Sequence, residues 1–240
     1  MEPIMQNTKW ALSKFANLSQ FPRYVRELPS FIRGTAEAKL PWGGTMRVPF
    51  PEHRDVATTG YFDGEHEVFD YFNEHITKDD IFFDIGANAG YYSLLAASKG
   101  ATVYAFEPFP DTFDLLIDNV MFKKNIHPNK MAISNKTGYA KMDGSGVSGY
   151  NKISPQGTTD VLTLAIDDFI DQMGLAPTII KIDVEYHDLE ACQGMENLLK
   201  THHPTLMVEC DNSMDYLFSL GYTATLLGNP KKRDYLFTFK

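Results

Sequence analysis

The chain has 240 residues, 43% of them hydrophobic and 13% aromatic, which is enough apolar material for one domain with a sizeable core and excludes disorder for most of its length. Its formal net charge is −9 and it has no long basic run, so nucleic acid is excluded as a default partner. No stretch approaches the ~20 apolar residues of a membrane span and no signal-peptide apolar region opens the chain. Cys192 and Cys210 form neither a disulfide framework nor a metal-ligand spacing, so the chain reads as cytoplasmic with buried free thiols.

Residues 1–60 differ in texture from the rest. Trp10, Leu12, Phe15, Leu18 and Phe21 line one face of a short helix ending before Pro22. Pro29, Pro41, Pro49 and Pro51, with Gly43 and Gly44, then rule out a long regular element. This reads as an N-terminal extension that packs over the core, covers the active site or makes a homo-oligomer contact, ahead of one domain over residues 61–240. A helix follows over residues 64–76, with Asp63 as its cap and Val68, Phe69, Phe72 and Ile76 on its apolar face.

Residues 81–108 organise the rest. The apolar run Ile81, Phe82, Phe83 ends in Asp84, and a turn carrying Gly86, Asn88 and Gly90 follows. A helical segment leads to a second apolar run that ends in Glu107. Strand, Gly-rich turn, helix and acid-tipped strand make the front half of a nucleotide-binding unit. Gly86 and Gly90 let the chain turn sharply and a ligand approach the backbone, and the free N–H groups of the helix start point over the turn. Glu107 lies 23 residues beyond Asp84, near the spacing at which an acid meets ribose hydroxyls. The pattern is not the G-x-G-x-x-G of dinucleotide sites, and an acid at its head would repel a pyrophosphate. Asp84 suits a ligand with positive groups, and S-adenosylmethionine has both an ammonium and a sulfonium.

Beyond Glu107 the pattern predicts a helix over residues 110–122 with Pro110 in its first turn, then a short strand over 130–134. Residues 138–157 are rich in Gly and Ser, predicting a hairpin or loop that is either plain surface or a substrate lid. After an apolar run at 161–165, Asp167 would cap a helix through Met173. A buried strand over 178–182 ends at Asp183, one helix is marked by Leu189, Cys192, Met195 and Leu199, and a strand over 205–208 ends at Glu209. A helix over 213–220 and a hairpin of two strands, 222–227 and 235–239, close the chain. The fold class is therefore α/β, a doubly wound, mostly parallel sheet with a C-terminal antiparallel hairpin.

Asp84, Glu107, Asp183 and Glu209 all fall at strand ends, where open parallel sheets bind ligands. Asp183, Glu185, His187 and Asp188 form the densest cluster. Asp188 and Glu190 read as acids favoured by a helix dipole, whereas His187 suits a general base for a substrate hydroxyl or an ordinary helix-start residue.

The segments DIGANAGYYSLLAA, AFEP, IIKIDVEYHDLEACQG and PTLMVEC, in that order, resemble the FkbM-type family of S-adenosylmethionine-dependent O-methyltransferases over residues 60–221. The resemblance implies a seven-strand Rossmann-like methyltransferase sheet. It places the cofactor on Asp84, Gly86, Ala87, Asn88, Gly90, Tyr91, Glu107 and Pro108. It also implies methyl transfer to a hydroxyl of a small molecule, often a sugar, a glycan or a glycosylated or polyketide natural product. Asp183, Glu185 or His187 would orient and deprotonate the hydroxyl and Glu209 would support the acceptor. A divalent metal, if used, would sit on Asp183 and Glu209, although no ligand spacing demands one. The family's Asp-Val-Glu-Gly falls on residues 183–186, where Tyr186 replaces Gly. The rival readings are an N-methyltransferase, whose Asn/Asp-Pro-Pro-aromatic segment is lacking here, and a non-catalytic module that binds the cofactor or a glycan.

Overall fold

The computed structural model describes residues 34–144, 152–209, 211–228, 230 and 232–240. The helix expected over residues 10–21, Cys210 and part of the Gly/Ser-rich loop lie outside them. Residues Thr35–Lys240 form one compact unit. It opens with β1 (Gly34–Lys39) and β2 (Thr45–Phe50), paired as a two-stranded sheet, and α1 (Arg54–Thr59), which stops at Gly60. Ala38, Met46, Val48 and Val56 from these elements are buried in one cluster with Phe72 and Leu95. Next comes α2 (His66–His75), which buries Val68, Phe69 and Phe72 as its period requires. Asp63 is not its cap: Glu65 holds the N-cap position, and Asp63 donates its backbone N–H to Asp55 at 2.8 Å.

The central run is β3 (Ile81–Ile85), α3 (Tyr91–Ser98), β4 (Thr102–Phe106), α4 (Pro110–Val120) and β5 (Ile126–Asn129). A side structure follows, made of β6 (Ala132–Ile133), β7 (Gly138–Asp143), β8 (Lys152–Ile153) and β9 (Thr159–Leu164). The remaining elements are α5 (Ile166–Met173), β10 (Ile179–Ile182), α6 (Asp188–Gln193), α7 (Glu196–Thr201), β11 (Thr205–Val208), α8 (Met214–Ser219), β12 (Tyr222–Leu227) and β13 (Asp234–Phe239).

Seven strands form the main sheet in the order β12-β13-β11-β10-β3-β4-β5. β13 runs against the direction of the other six strands, pairing antiparallel with both β11 and β12, so a C-terminal hairpin closes one edge. The chain starts the sheet at β3, builds outward to β5, then returns to the other side of β3 with β10. That reversal between β3 and β10 opens a crevice at their carboxyl ends. Both strands are covered on both faces and read as continuous apolar runs except at Asp84 and Lys181, which stand opposite each other in the ladder.

Two further expectations change. The single helix over 189–199 is two short helices, broken where Gly194 passes the Ser134 carbonyl so closely that a Cβ would lie 2.0 Å from it. Asp167 does not cap α5; its carboxylate accepts the N–H groups of Asn197 and Leu198 at 2.9 and 3.0 Å and so caps α7. The four strands β6-β9-β7-β8 make a second sheet that the sequence reading resolved only as a strand and a hairpin or loop. Its Met142 and Val161 are buried, whereas Tyr139 is exposed, the alternation of a sheet wet on one face.

Candidate active site

The turn after β3 is tied to β4: the N–H groups of Gly86 and Ala87 both donate to the Phe106 carbonyl, at 2.9 and 3.0 Å. Gly86 has φ +80°, and a Cβ there would meet the Asp183 carbonyl oxygen at 1.9 Å. Glycine is required because β3 and β10 come together at this point. Gly90, at φ +92°, starts α3 against Leu116, whose methyl would lie 2.7 Å from a Cβ. Glu107 closes the turn from beneath, its two oxygens accepting the N–H groups of Asn88 at 3.0 Å and Phe109 at 2.9 Å. Burial outweighs those two bonds and pushes its carboxyl up to about 7.

Two clefts meet at the switch point. The first is lined by Gly86, Asn88, Glu107 and Pro108 on the turn side, and the second sheet supplies an apolar wall including Ala132, Ile133 and Met142. The second is lined by Tyr186, Asp188, Glu209, Lys232 and Arg233. Asp183, Val184 and Glu185 form the wall common to both. An apolar wall with a few placed polar groups at a topological switch point is the setting of a small-molecule site.

Of the eight residues expected to hold the cofactor, Gly86, Asn88, Glu107 and Pro108 line the first cleft. Asp84, Ala87, Gly90 and Tyr91 are not among its lining residues. Asp84 is buried, takes the Ser93 hydroxyl at 2.6 Å, and its other oxygen has no hydrogen-bond partner among the described residues. Tyr91 donates its hydroxyl to the Gly60 carbonyl at 2.8 Å, fastening the first segment of the compact unit to the turn.

On the other side, Asp183 receives the Lys181 ammonium at 2.6 Å. Although burial opposes it, that cation holds Asp183 below the ordinary carboxylate range. Glu209 hydrogen-bonds Asp183, and burial together with the Asp183 charge forces Glu209 strongly upward, so the pair shares one proton. Glu185 is pushed up to about 7 by burial and then by Asp183 and Asp188. His187 is pushed down by burial, so its ring is neutral near pH 7. Its Nε2 lies 3.0 Å from the Ser134 hydroxyl and its Nδ1 3.5 Å from Glu190. Among the described residues no group of three or more His, Cys, Asp or Glu is arranged to hold a metal ion.

Lys181 was missed in the sequence. Its ammonium also lies 5.1 Å from the centre of the Tyr92 ring, and its side chain is 4% exposed. Tyr92 donates to Glu65 at 2.9 Å, and Lys232 approaches Glu65 at 3.5 Å, so a buried polar network runs from the turn to the second cleft. The signal was a lone Lys inside the run Ile179–Ile182, two residues before an acid.

A doubly wound sheet with a Gly-rich turn and acids at its strand ends defines the class I methyltransferase fold, and S-adenosylmethionine is the cofactor of that class. Residues 84–236 match the Methyltransferase FkbM domain, and the chain belongs to that family. Hexuronic acid methyltransferase AglP of Haloferax volcanii is 32% identical over 142 residues, 58% of this chain and 59% of the relative, so the chain spans less than two thirds of that protein's length. The methyltransferase FkbM from Methylobacillus flagellatus superposes with a TM-score of 0.52 at 21% identity, over 68% of this chain and 44% of that one. The Thermus thermophilus 16S rRNA methyltransferase RsmC, in complex with AdoMet and guanosine, superposes with a TM-score of 0.50 at 11% identity, over 87% and 50% of the two chains. At these identities the two structural likenesses speak for the fold. The first cleft carries residues that fit S-adenosylmethionine: Gly86, Asn88 and Glu107 line it on the turn side, and the second sheet gives it an apolar wall.

Proposed function

We propose that the protein transfers a methyl group from S-adenosylmethionine to a hydroxyl of a sugar or glycan, with Glu185 as the base. The observation that carries this is the position of Glu185 on the wall common to both clefts with a carboxyl raised to about 7. The likeness to a hexuronic acid methyltransferase supports a sugar as the acceptor.

S-adenosylmethionine supplies an already electrophilic methyl, so the protein's task is alignment and removal of one proton. Asp183, held ionised by Lys181, is a weak base but a strong acceptor for a substrate O–H. Glu209 carries the proton of the pair and donates it to Asp183, leaving its carbonyl oxygen to accept from a sugar hydroxyl. The hydroxyl proton passes to the Glu185 carboxylate as the O–CH₃ bond forms. His187, bracketed by Ser134 and Glu190, orients the wall rather than taking that proton. A metal is not needed for this step.

The test is methyl transfer to a panel of pyranosides and their amino analogues, with the product located by mass spectrometry and NMR. Expected is an O-methyl ether, with kcat/KM rising about tenfold between pH 6 and 8 as a carboxyl of pKa near 7 ionises. Glu185→Gln should lower kcat by about 10²–10⁴. Methylation at nitrogen, or an unchanged rate and pH profile in Glu185→Gln, would overturn the assignment.

A further inference from the structure

After β10 the chain reverses through Glu185 and Tyr186, whose φ angles are +46° and +69°, and the His187 N–H closes the turn on the Val184 carbonyl at 3.2 Å. Two central residues with positive φ are the mark of a tight turn that Gly and Asn normally fill. A tyrosine there is a backbone outlier. Nothing inside the described protein accounts for it. The Tyr186 ring is 72% exposed and makes no hydrogen bond or ring contact with any described residue. It lines the second cleft beside Asp183, Glu185, Glu209 and Lys232. Strained non-Gly residues persist where the strain places a group that works.

We propose that Tyr186 is a specificity-determining residue, the stacking platform for a pyranose ring of the acceptor. The proposal rests on the reading of the second cleft as the acceptor site. A pyranose has a face of C–H groups bounded by hydroxyls. The face of a tyrosine ring is electron-rich and attracts such C–H groups, and it offers a large contact with little side-chain entropy to lose. The carboxyls around it accept from sugar hydroxyls, and Lys232 donates. An aromatic plate bordered by carboxylates selects a ring over an open chain with the same hydroxyls. The glycine that the family pattern places here would relieve the backbone but leave the cleft without its plate.

Three proteins test this: the wild type, Tyr186→Phe and Tyr186→Gly. Binding of methyl β-glucopyranoside, methyl β-glucuronide and the open-chain control sorbitol is followed by saturation-transfer NMR in the presence of S-adenosylhomocysteine. Expected is pyranoside binding by the wild type and Tyr186→Phe, at least tenfold weaker in Tyr186→Gly, with sorbitol binding unaffected. S-adenosylhomocysteine affinity should agree within twofold across the three, and Tyr186→Gly should melt no lower than the wild type, since glycine suits φ +69°. In turnover the loss should appear in the acceptor KM, with kcat within threefold. Pyranoside binding by Tyr186→Gly equal to the wild type, or none by the wild type, overturns the platform. Binding lost in Tyr186→Gly without methyl transfer by the wild type would sustain the platform and overturn the methyltransferase assignment. Methyl transfer to hydroxyls with an unchanged Tyr186→Gly would do the reverse.

Discussion

Replacing Lys181 by Met keeps most of the buried stem and removes only the cation. The ammonium it deletes lies 2.6 Å from Asp183, on a side chain 4% exposed, opposite Asp84 in the ladder. Breaking a buried pair by removing one partner costs about 3–5 kcal/mol, because the remaining charge is left uncompensated. The Asp183 side chain is 33% exposed, so water can solvate part of it and the low end applies, about 3 kcal/mol. For a domain of this size that is a fall in Tm of roughly 6–12 °C. Urea unfolding of Lys181→Met, Asp183→Asn and the double variant forms the measurement. The double variant should recover half or more of the single loss, since no unpaired charge remains. Lys181 depresses the Asp183 carboxyl, so its contribution is present above the ordinary aspartate value near 3.8 and is lost as pH falls through the depressed one. The gap between wild type and Lys181→Met should therefore close below about pH 4. A single variant within about 1 kcal/mol of the wild type, or additive losses in the double variant, would refute the pairing as a determinant of the site.

Three further outcomes are expected. Glu107→Gln leaves only one oxygen for the two N–H groups of Asn88 and Phe109, costing about 1 kcal/mol and weakening S-adenosylmethionine binding at least tenfold by calorimetry. The wild-type Glu107 carboxyl is raised from 4.5 to about 7, so its neutral form favours folding; without cofactor, stability should fall by about 3 kcal/mol as pH rises through that window, and Glu107→Gln should flatten the slope. Asp167→Ala should cost about 1 kcal/mol and speed amide exchange at Asn197 and Leu198, leaving cofactor affinity unchanged. Unaltered exchange at those two amides would show that α7 does not depend on this cap.

What could be read from the chain divides by distance along it. The turn of Gly86, Asn88 and Gly90 and the acids at strand ends were legible, because a turn needing positive φ and an acid closing an apolar run are local patterns. Side-chain partners were not. Asp167 and Asn197 are 30 residues apart, and so a residue with the right chemistry for capping its own helix caps another instead. The break at Gly194 is set by the Ser134 carbonyl, which the helical period of Leu189, Cys192 and Leu199 cannot see. Asp84 is the sharpest case. An acid at the head of the turn pointed to a positively charged ligand, yet it is buried, bonded to Ser93, and faces Lys181 across the ladder. The cation that Asp84 calls for is internal. Assignment of S-adenosylmethionine therefore stands on the family, and the acids common to both clefts are Asp183 and Glu185. Lys181 is the chief cause that lowers Asp183, whereas Glu185 is raised by burial and by the charges of Asp183 and Asp188. The register that sets Lys181 beside Asp183 is a property of the folded sheet, so the sequence could show which acids gather at the strand ends but not how each is ionised.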